Sequence, residues 1–269
     1  MNFVDTHCHL HEIARRLTPV HDKWIKGGIT DADSVLRAAR EAGVTKAICV
    51  GTTRADSELA VEFVKGHENL WASIGIHPHE AQDHLDKAAK EKFALLATEA
   101  KVVAVGECGL DYYYEHSPKE AQIEILKFQI ELALQHDLPL IFHVRDAFDD
   151  FWPIFDNYKD IRGVVHSFSA TEKELGEILA RPNLYVGLNG IMTFTKRDDQ
   201  LAAAKQVPLE RLLLETDAPF LTPVPYRGKV GEPRYVRTVA AFLADLRGET
   251  LESLATATTA NAGQLFNLD

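Results

Sequence analysis

The sequence predicts an α/β chain folded as a (β/α)8 barrel with a metal site at the C-terminal rim of its strands. Three observations carry this reading. Eight short apolar or β-branched runs alternate with helical segments. Most of these runs are apolar on both faces, as buried parallel strands are. Histidines and carboxylates recur at their C-terminal ends, where barrel active sites are built. An open doubly wound sheet is the alternative architecture, but no Gly-rich dinucleotide fingerprint is present.

The elements follow in order. "FVDTHC" (3–8) is the first strand. Side chains alternate along a strand, so His7 and His9 share a face with Asp5, and Cys8 points the other way, into packing. The competing readings are a three-ligand His-Cys-His cluster and a pair of hydrogen-bonded histidines without metal. The stretch from His11 to Thr30 separates this strand from a helix beginning near Asp33 and would lie on the catalytic face as a lid or substrate wall. The next strands are "KAICVG" (46–51), "WASIGI" (71–76), followed by His77, and "VVAVGE" (102–107), ending at Glu107. The clearest helix spans 117–137. Ser117 is suited to N-cap it, Pro118 to its first position and Glu120 to a capping box, with Ile123, Leu126, Ile130, Ala133 and Leu134 as the apolar stripe. "LIFHV" (140–144) carries His143 and "GVVHSF" (163–168) carries His166. Thr171 and Glu174 repeat the capping-box logic. "LYVGLN" (184–189) and "RLLLETD" (211–217) complete the strands, the last with Glu215 and Asp217. Two helices close the chain, near 232–246 and 250–266.

With 269 residues, 46% of them hydrophobic, the chain suffices for one large domain with a sizeable core. Asp5 and His7 interrupt the N-terminus before any apolar run, which argues against a signal peptide, and no segment is long and apolar enough to span a bilayer. Three cysteines, Cys8, Cys49 and Cys108, suit buried thiols in a reducing cytoplasm rather than a disulfide framework. A formal net charge of −11 argues against a broad basic nucleic-acid surface. It does not exclude a nuclease, because bound divalent cations can invert the field within one cleft.

His7, His9, Glu107, His143, His166, Glu215 and Asp217 thus gather at strand ends, with His77 just beyond one. Burying so many ionisable groups without partners is costly, and metal ions are the simplest compensation. Mixed imidazole and carboxylate donors suit Zn²⁺, Mn²⁺ or a similar ion better than Ca²⁺. The count fits two ions, one on His7, His9 and Asp217, the other on His143 and His166, with Glu107 able to bridge. Two ions about 3.5–4 Å apart clamp the attacking and leaving oxygens of an in-line displacement. Asp217 is also placed to orient or deprotonate the attacking water.

"DTHCHL", "IGIHPHE", "VGECGLDYYY", "FHVRDA", "HSFSA" and "LLLETDAPFLTPVPYRGKVGEP" resemble, in order, the signature segments of the TatD family of metal-dependent deoxyribonucleases. The resemblance implies one TatD-type hydrolase domain over 1–269, a (β/α)8 barrel and 3′-to-5′ hydrolysis of nucleic-acid phosphodiesters. It implies two divalent ions (Mg²⁺, Mn²⁺ or Zn²⁺) on His7, His9, Glu107, His143, His166 and Asp217, with His77 near the scissile phosphate or an additional metal. Glu107, Asp217 and His77 are then the catalytic set. The expected partner is DNA, as single-stranded ends, with RNA a further possibility; the expected assembly is a monomer or weak oligomer. The run after "HCHL" departs from the family by its length and carries His11 and His21; His11 is expected to be an ordinary polar surface residue.

Arg145 shares the face of His143 and is suited to a bidentate phosphate contact; a salt bridge to Asp146 or Asp111 is the equal alternative. Tyr112, Tyr113 and Tyr114 are suited to base stacking, or to loop packing. Lys196, Arg197, Arg227 and Lys229 would flank the mouth and hold backbone phosphates, or form a solvated charged face. Glu215 reads as an orienting group for a ligand histidine. Competing functions are an amidohydrolase acting on a small amide or ester, a deacylase acting on aminoacyl-tRNA, a histidinol-phosphatase-type phosphoesterase, and an inactive binding scaffold. The first lacks its usual bridging lysine, since "VGE" stands there and Lys101 lies at the wrong end of the strand. The phosphatase type lacks its terminal Asp-x-His, because every histidine lies at or before His166.

Overall fold

A computed structural model describes residues 1–15, 18–114 and 116–268. Arg16 and Leu17, inside the 11–30 segment, and Asp269, the end of the expected domain, lie outside the described residues. The elements run β1 (Phe3–Cys8), α1 (Pro19–Lys26), α2 (Ala32–Glu41), β2 (Val44–Val50), α3 (Arg54–Lys65), β3 (Leu70–Ile74), α4 (Lys87–Leu96) and β4 (Val102–Asp111). They continue as α5 (Lys119–Gln135), β5 (Leu140–Arg145), α6 (Phe148–Phe155), β6 (Gly163–Val165), α7 (Glu172–Leu179), β7 (Leu184–Leu188), α8 (Asp198–Gln206), β8 (Leu212–Leu214), α9 (Val236–Arg247) and α10 (Leu251–Phe266). The strands form one eight-stranded sheet in the order β1 to β8. Alternation of parallel strands with helices, and contact of the first strand with the last, make this the predicted (β/α)8 barrel. No helix of the described residues is long and apolar enough to cross a membrane.

The chain divides into two compact units, Met1–Cys49 with Ser167–Asp269, and Val50–His166. In the first, β1 meets the end of β8. Thr6 Oγ1 donates to Leu214 O at 3.0 Å, Asp217 N–H to His7 O at 2.8 Å and His9 N–H to Ala218 O at 2.7 Å. Asp5, fully buried, accepts from Thr216 N at 2.9 Å and from Thr216 Oγ1 at 2.6 Å, tying the two strand ends together. Burial pushes the Asp5 carboxyl up, and the Thr216 bonds only partly offset it.

The described residues of the 11–30 segment, 11–15 and 18–30, are built onto β1. A 3-10 turn over Leu10–Ala14 follows the strand directly. Thr18 then caps α1 by accepting from His21 N, and its hydroxyl donates to Glu12. Trp24 is fully buried and its indole N–H donates to His9 O at 3.2 Å. A helix this short is marginal alone, so Trp24 is its main anchor. Trp24→Ala should cost about 3–5 kcal/mol, read as a lowered denaturant midpoint; a loss under about 1 kcal/mol on the same scale would show that α1 does not depend on it.

In the second unit the core is aromatic. Phe142 meets Phe151 edge-on at 5.1 Å and Phe155 at 5.8 Å. The helix expected over 117–137 is α5, and it begins one residue later than its cap signals suggested. Pro118 occupies the N-cap position with no side-chain cap bond. Ser117 is drawn away because its hydroxyl donates to His79 O at 2.7 Å and accepts from Gln82 N at 3.1 Å. The buried face also differs from the expected stripe. Leu134 is exposed, Ile123 is half-buried, and Gln122 and Gln129 are buried instead. Thr171 and Glu174 do form the capping box of α7.

Candidate metal centre

Each unit carries a cluster of metal-ligating side chains. In the first, His7 and His9 leave β1 on one face, with rings 5.2 Å apart and nearly perpendicular. His7 Nε2 lies 3.7 Å and His9 Nε2 3.3 Å from Asp217 Oδ1. Asp217 has φ of 56°. That left-handed conformation is tolerated better by aspartate than by most residues, and its N–H on His7 O holds it there. Glu215, fully buried, accepts from Ser167 N at 2.6 Å and Asn189 Nδ2 at 3.0 Å.

Cys8 does not join this group. Its thiol donates to Ile48 O at 3.4 Å, on β2. Cys8→Ser should therefore keep metal content and lose about 1 kcal/mol of stability, since a hydroxyl can make the same bond but suits an apolar site less well. Thermal melts beside elemental analysis test this; a folded Cys8→Ser protein without metal would make His-Cys-His a three-ligand cluster.

His11 differs from expectation. It is fully buried, not a surface residue, because the chain turns at once into the 3-10 turn beneath α1. Its ring lies 6.2 Å from that of His9.

In the second unit, three imidazoles converge on one carboxylate oxygen. Glu107 Oε1 lies 2.9 Å from His143 Nδ1, 3.0 Å from His166 Nε2 and 3.4 Å from His77 Nε2. Burial alone would raise the Glu107 carboxyl, but the surrounding histidines hold it well below the usual carboxylate range. His77 is pushed down to about 4, first by burial. It is therefore a neutral imidazole near pH 7, the form that offers a lone pair to a cation.

Sequence reasoning missed the group behind His143. β4 was expected to end at Glu107, yet it runs on to Asp111. Gly109 permits the continuation: a Cβ there would stand 1.8 Å from His143 O, and its φ is +148°. Asp111, nearly fully buried, accepts from His143 Nε2 at 2.9 Å and His79 Nε2 at 3.0 Å through one oxygen. Its other oxygen takes the N–H groups of Tyr113 and Tyr114, both at 3.0 Å. Burial would raise this carboxyl too; the bonds from His143 and His79 hold it far down. The two buried glutamines of α5 fix the backbone around these groups. Gln122 accepts from Asp111 N at 2.9 Å and donates to Asp111 O at 3.2 Å. Gln129 accepts from Ile76 N at 2.7 Å and donates to Ile76 O at 3.0 Å, just before His77. The sequence offered Asp111 only as a salt-bridge partner for Arg145, whereas its oxygens go to His143, His79 and the N–H groups of Tyr113 and Tyr114; nothing in the helix pattern marked the glutamines.

The remaining candidates are placed as follows. The Arg145 guanidinium lies 3.9 Å over the ring of Tyr113 and 4.9 Å from that of Tyr114. Tyr113 and Tyr114 are exposed, whereas Tyr112 is half-buried with Lys119 Nζ 3.8 Å over its ring. Arg227 donates to Thr222 O at 2.8 Å and covers the ring of Phe194 at 3.8 Å. Arg197 pairs with Asp199 at 2.6 Å.

Both clusters fit a metal. Within His7, His9 and Asp217, and within His77, Glu107 and His143, the ligating atoms lie within 4.8 Å of one another. That is close to the span of two metal bonds of about 2.0–2.2 Å. The donors are imidazole nitrogen and carboxylate oxygen, the set that binds Zn²⁺ and Mn²⁺.

A family model described as TatD related DNase matches residues 4–267. An uncharacterized metal-dependent hydrolase of Bacillus subtilis, YabD, is 38% identical over 242 residues, covering 89% of this chain and 94% of that one. A Cronobacter sakazakii protein named 3′-5′ ssDNA/RNA exonuclease TatD is 38% identical over 243 residues, covering 88% and 92%. The crystal structure of YjjV, a TatD homologue from Escherichia coli, superposes with a TM-score of 0.87 at 30% identity, covering 99% of this chain and 98% of that one. With the histidine and carboxylate clusters seated on barrel strands and a family match spanning nearly every residue, the chain belongs to the TatD family of metal-dependent hydrolases.

Proposed function

We propose that this hydrolase is a two-metal phosphodiesterase that trims single-stranded DNA, and RNA less readily, from the 3′ end. The observation that carries the reading is the pair of ligand clusters, one in each unit, each with its own carboxylate. Relatives named as 3′-5′ ssDNA/RNA exonucleases support the substrate class. His7, His9 and Asp217 would hold one divalent ion; Glu107, His143 and His166 the other. Bound there, such ions lower the pKa of water and neutralise charge on phosphoryl oxygens. The chain's own groups do the rest. Asp217 accepts a proton from the attacking water through the carboxylate oxygen that His7 and His9 face. His77, kept neutral by burial, faces the scissile phosphate. Arg145, carried above Tyr113 at the end of β5, meets a second phosphate, and the exposed rings of Tyr113 and Tyr114 offer stacking surfaces to bases.

An amide- or ester-cleaving reading is disfavoured by Lys101. Its ammonium donates to Glu68 O and Leu70 O, each at 3.2 Å, at the opposite end of the strand from Glu107.

The test is metal-stripped protein reloaded with Mg²⁺, Mn²⁺ or Zn²⁺ and given end-labelled single-stranded DNA or RNA. Stepwise shortening from the 3′ end is expected; release of internal fragments alone, or no cleavage with any ion, would overturn the proposal. A single strand should also turn over faster than a blunt duplex of the same sequence. The formal charge of −11 leaves little surface to grip paired strands. Equal rates on the two would count against that preference.

A further inference from the structure

A cleft of about 570 Å³ opens in the first unit between the C-terminal half of α1 and residues 228–235. Its walls carry Lys23, Lys26, Lys229 and Arg234, against the single carboxylate of Glu232. Glu232 is taken by Arg234, whose Nη2 lies 2.6 Å from it. The three lysines are left facing the space, in a chain with 40 acidic and 29 basic residues. Such a concentration of positive charge is the reverse of the composition around it, and it attracts polyanions.

The cleft belongs to the fold rather than to a mobile side-chain array. Gly27, which ends α1, sits so close to the facing loop that a Cβ there would come within 1.9 Å of Val230 Cγ2. Trp24 pins the same helix to the backbone of His9. The cleft also begins beside the ligand cluster. Lys23 Nζ lies 4.2 Å over the ring of Phe220, and that ring stands 6.3 Å from the imidazole of His9. A strand whose scissile phosphate lies at His7, His9 and Asp217 therefore meets Lys23 next, then the cations beyond it.

We propose that α1, which lies between β1 and α2, builds a binding track for the sugar-phosphate backbone of a single nucleic-acid strand. Lys23, Lys26 and Lys229 take successive phosphates on the side of the scissile bond that remains attached to the longer product. This rests on the phosphodiesterase reading above. It assigns the 11–30 segment a ligand as well as a place, and it accounts for how an acidic protein grips a polyanion over more than one nucleotide.

Lys26 and Lys229 are exposed, so replacing them leaves the core intact. The experiment uses metal-loaded wild type, the double variant Lys26→Ala/Lys229→Ala, and the double variant Lys26→Arg/Lys229→Arg. Two quantities are read. The first is the ratio of kcat/KM on a long single strand to that on a dinucleotide. The second is the salt dependence of binding to a non-hydrolysable phosphorothioate strand, followed by fluorescence anisotropy. The alanine pair should lower the ratio by about tenfold and reduce the slope of log K against log salt by about 1.4, or about 0.7 for each single-strand phosphate no longer neutralised. The arginine pair should restore both, because charge is what the track supplies. An unchanged ratio and slope in the alanine pair would overturn the track while leaving the nuclease reading standing. If neither substrate is cleaved by wild type, the nuclease reading fails on its own. The anisotropy arm then still decides the cleft: equal binding by wild type and the alanine pair, or none by either, overturns it.

Discussion

Glu107→Ala should abolish detectable hydrolysis and strip the second unit of its metal. His77, His143 and His166 are arranged around this side chain, all within 3.4 Å of Oε1. Removing one member of a buried charge pair costs about 3–5 kcal/mol when its partners stay behind. The metal-free variant should therefore melt well below the metal-free wild type. Added metal stabilises only the state that binds it, so the rise in Tm on adding Zn²⁺ or Mn²⁺ should shrink in the variant. Glu107→Gln separates the two effects: it keeps the volume and part of the hydrogen bonding while removing the charge. It should recover more of the stability than of the metal affinity. Thermal melts with and without metal, beside elemental analysis, make the comparison. A Glu107→Ala protein that retains a full complement of metal would remove Glu107 from the ligand set.

Asp111→Ala should be the next largest loss, although no substrate atom need touch this residue. Asp111 takes the Nε2 side of His143 at 2.9 Å, while Nδ1 faces Glu107. With Asp111 in place, His143 keeps a proton on Nε2 and leaves Nδ1 as its ligand atom. A carboxylate behind a metal-binding histidine fixes its tautomer and ring orientation, and losing it costs about 10–100-fold in metal affinity or activity. Asp111→Asn, which can still accept one hydrogen bond, should fall between wild type and alanine. The metal-free protein supplies a separate readout. Asp111 and Glu107 are both held below their unfolded values, so each contributes stability that is full above the ordinary carboxylate range and is lost as pH falls through that range toward the depressed folded values. The decline in Tm on acidification should be shallower in Asp111→Asn, because that group no longer takes up a proton on unfolding. If metal affinity, kcat and the acid slope of Asp111→Asn all match wild type, Asp111 serves packing alone.

The sequence by itself determined the fold class and which residue types gather at the strand ends. Both rest on short-range regularities. Buried parallel strands read as apolar runs, and a two-residue period places His7 and His9 on one face with Cys8 on the other. Glu107, His143, His166 and Asp217 were legible because each is an ionisable residue at or near the end of an otherwise apolar run. Tertiary structure decided what stands behind them. Asp111 belongs with His143 only because β4 continues past Glu107, and it continues because Gly109 lets the backbone pass close to His143 O. Gln122 and Gln129 look like breaks in a helical stripe until the backbone of Asp111 and Ile76 is seen beside them. Ser117 has the chemistry of a helix cap, but a closer partner in the 77–84 segment takes its hydroxyl. His11 has the polarity of a loop residue, but it falls in a 3-10 turn whose residues from Leu10 to Ile13 are all buried, with its ring 6.2 Å from that of His9. The physical reason is common to all four. Alternation and capping depend on neighbours within a few residues and can be read along the chain, whereas the partner of a buried polar group lies beyond that range, from 11 residues for Gln122 and Asp111 to 53 for Gln129 and Ile76, and is set by which hydrogen bonds the packed fold must satisfy.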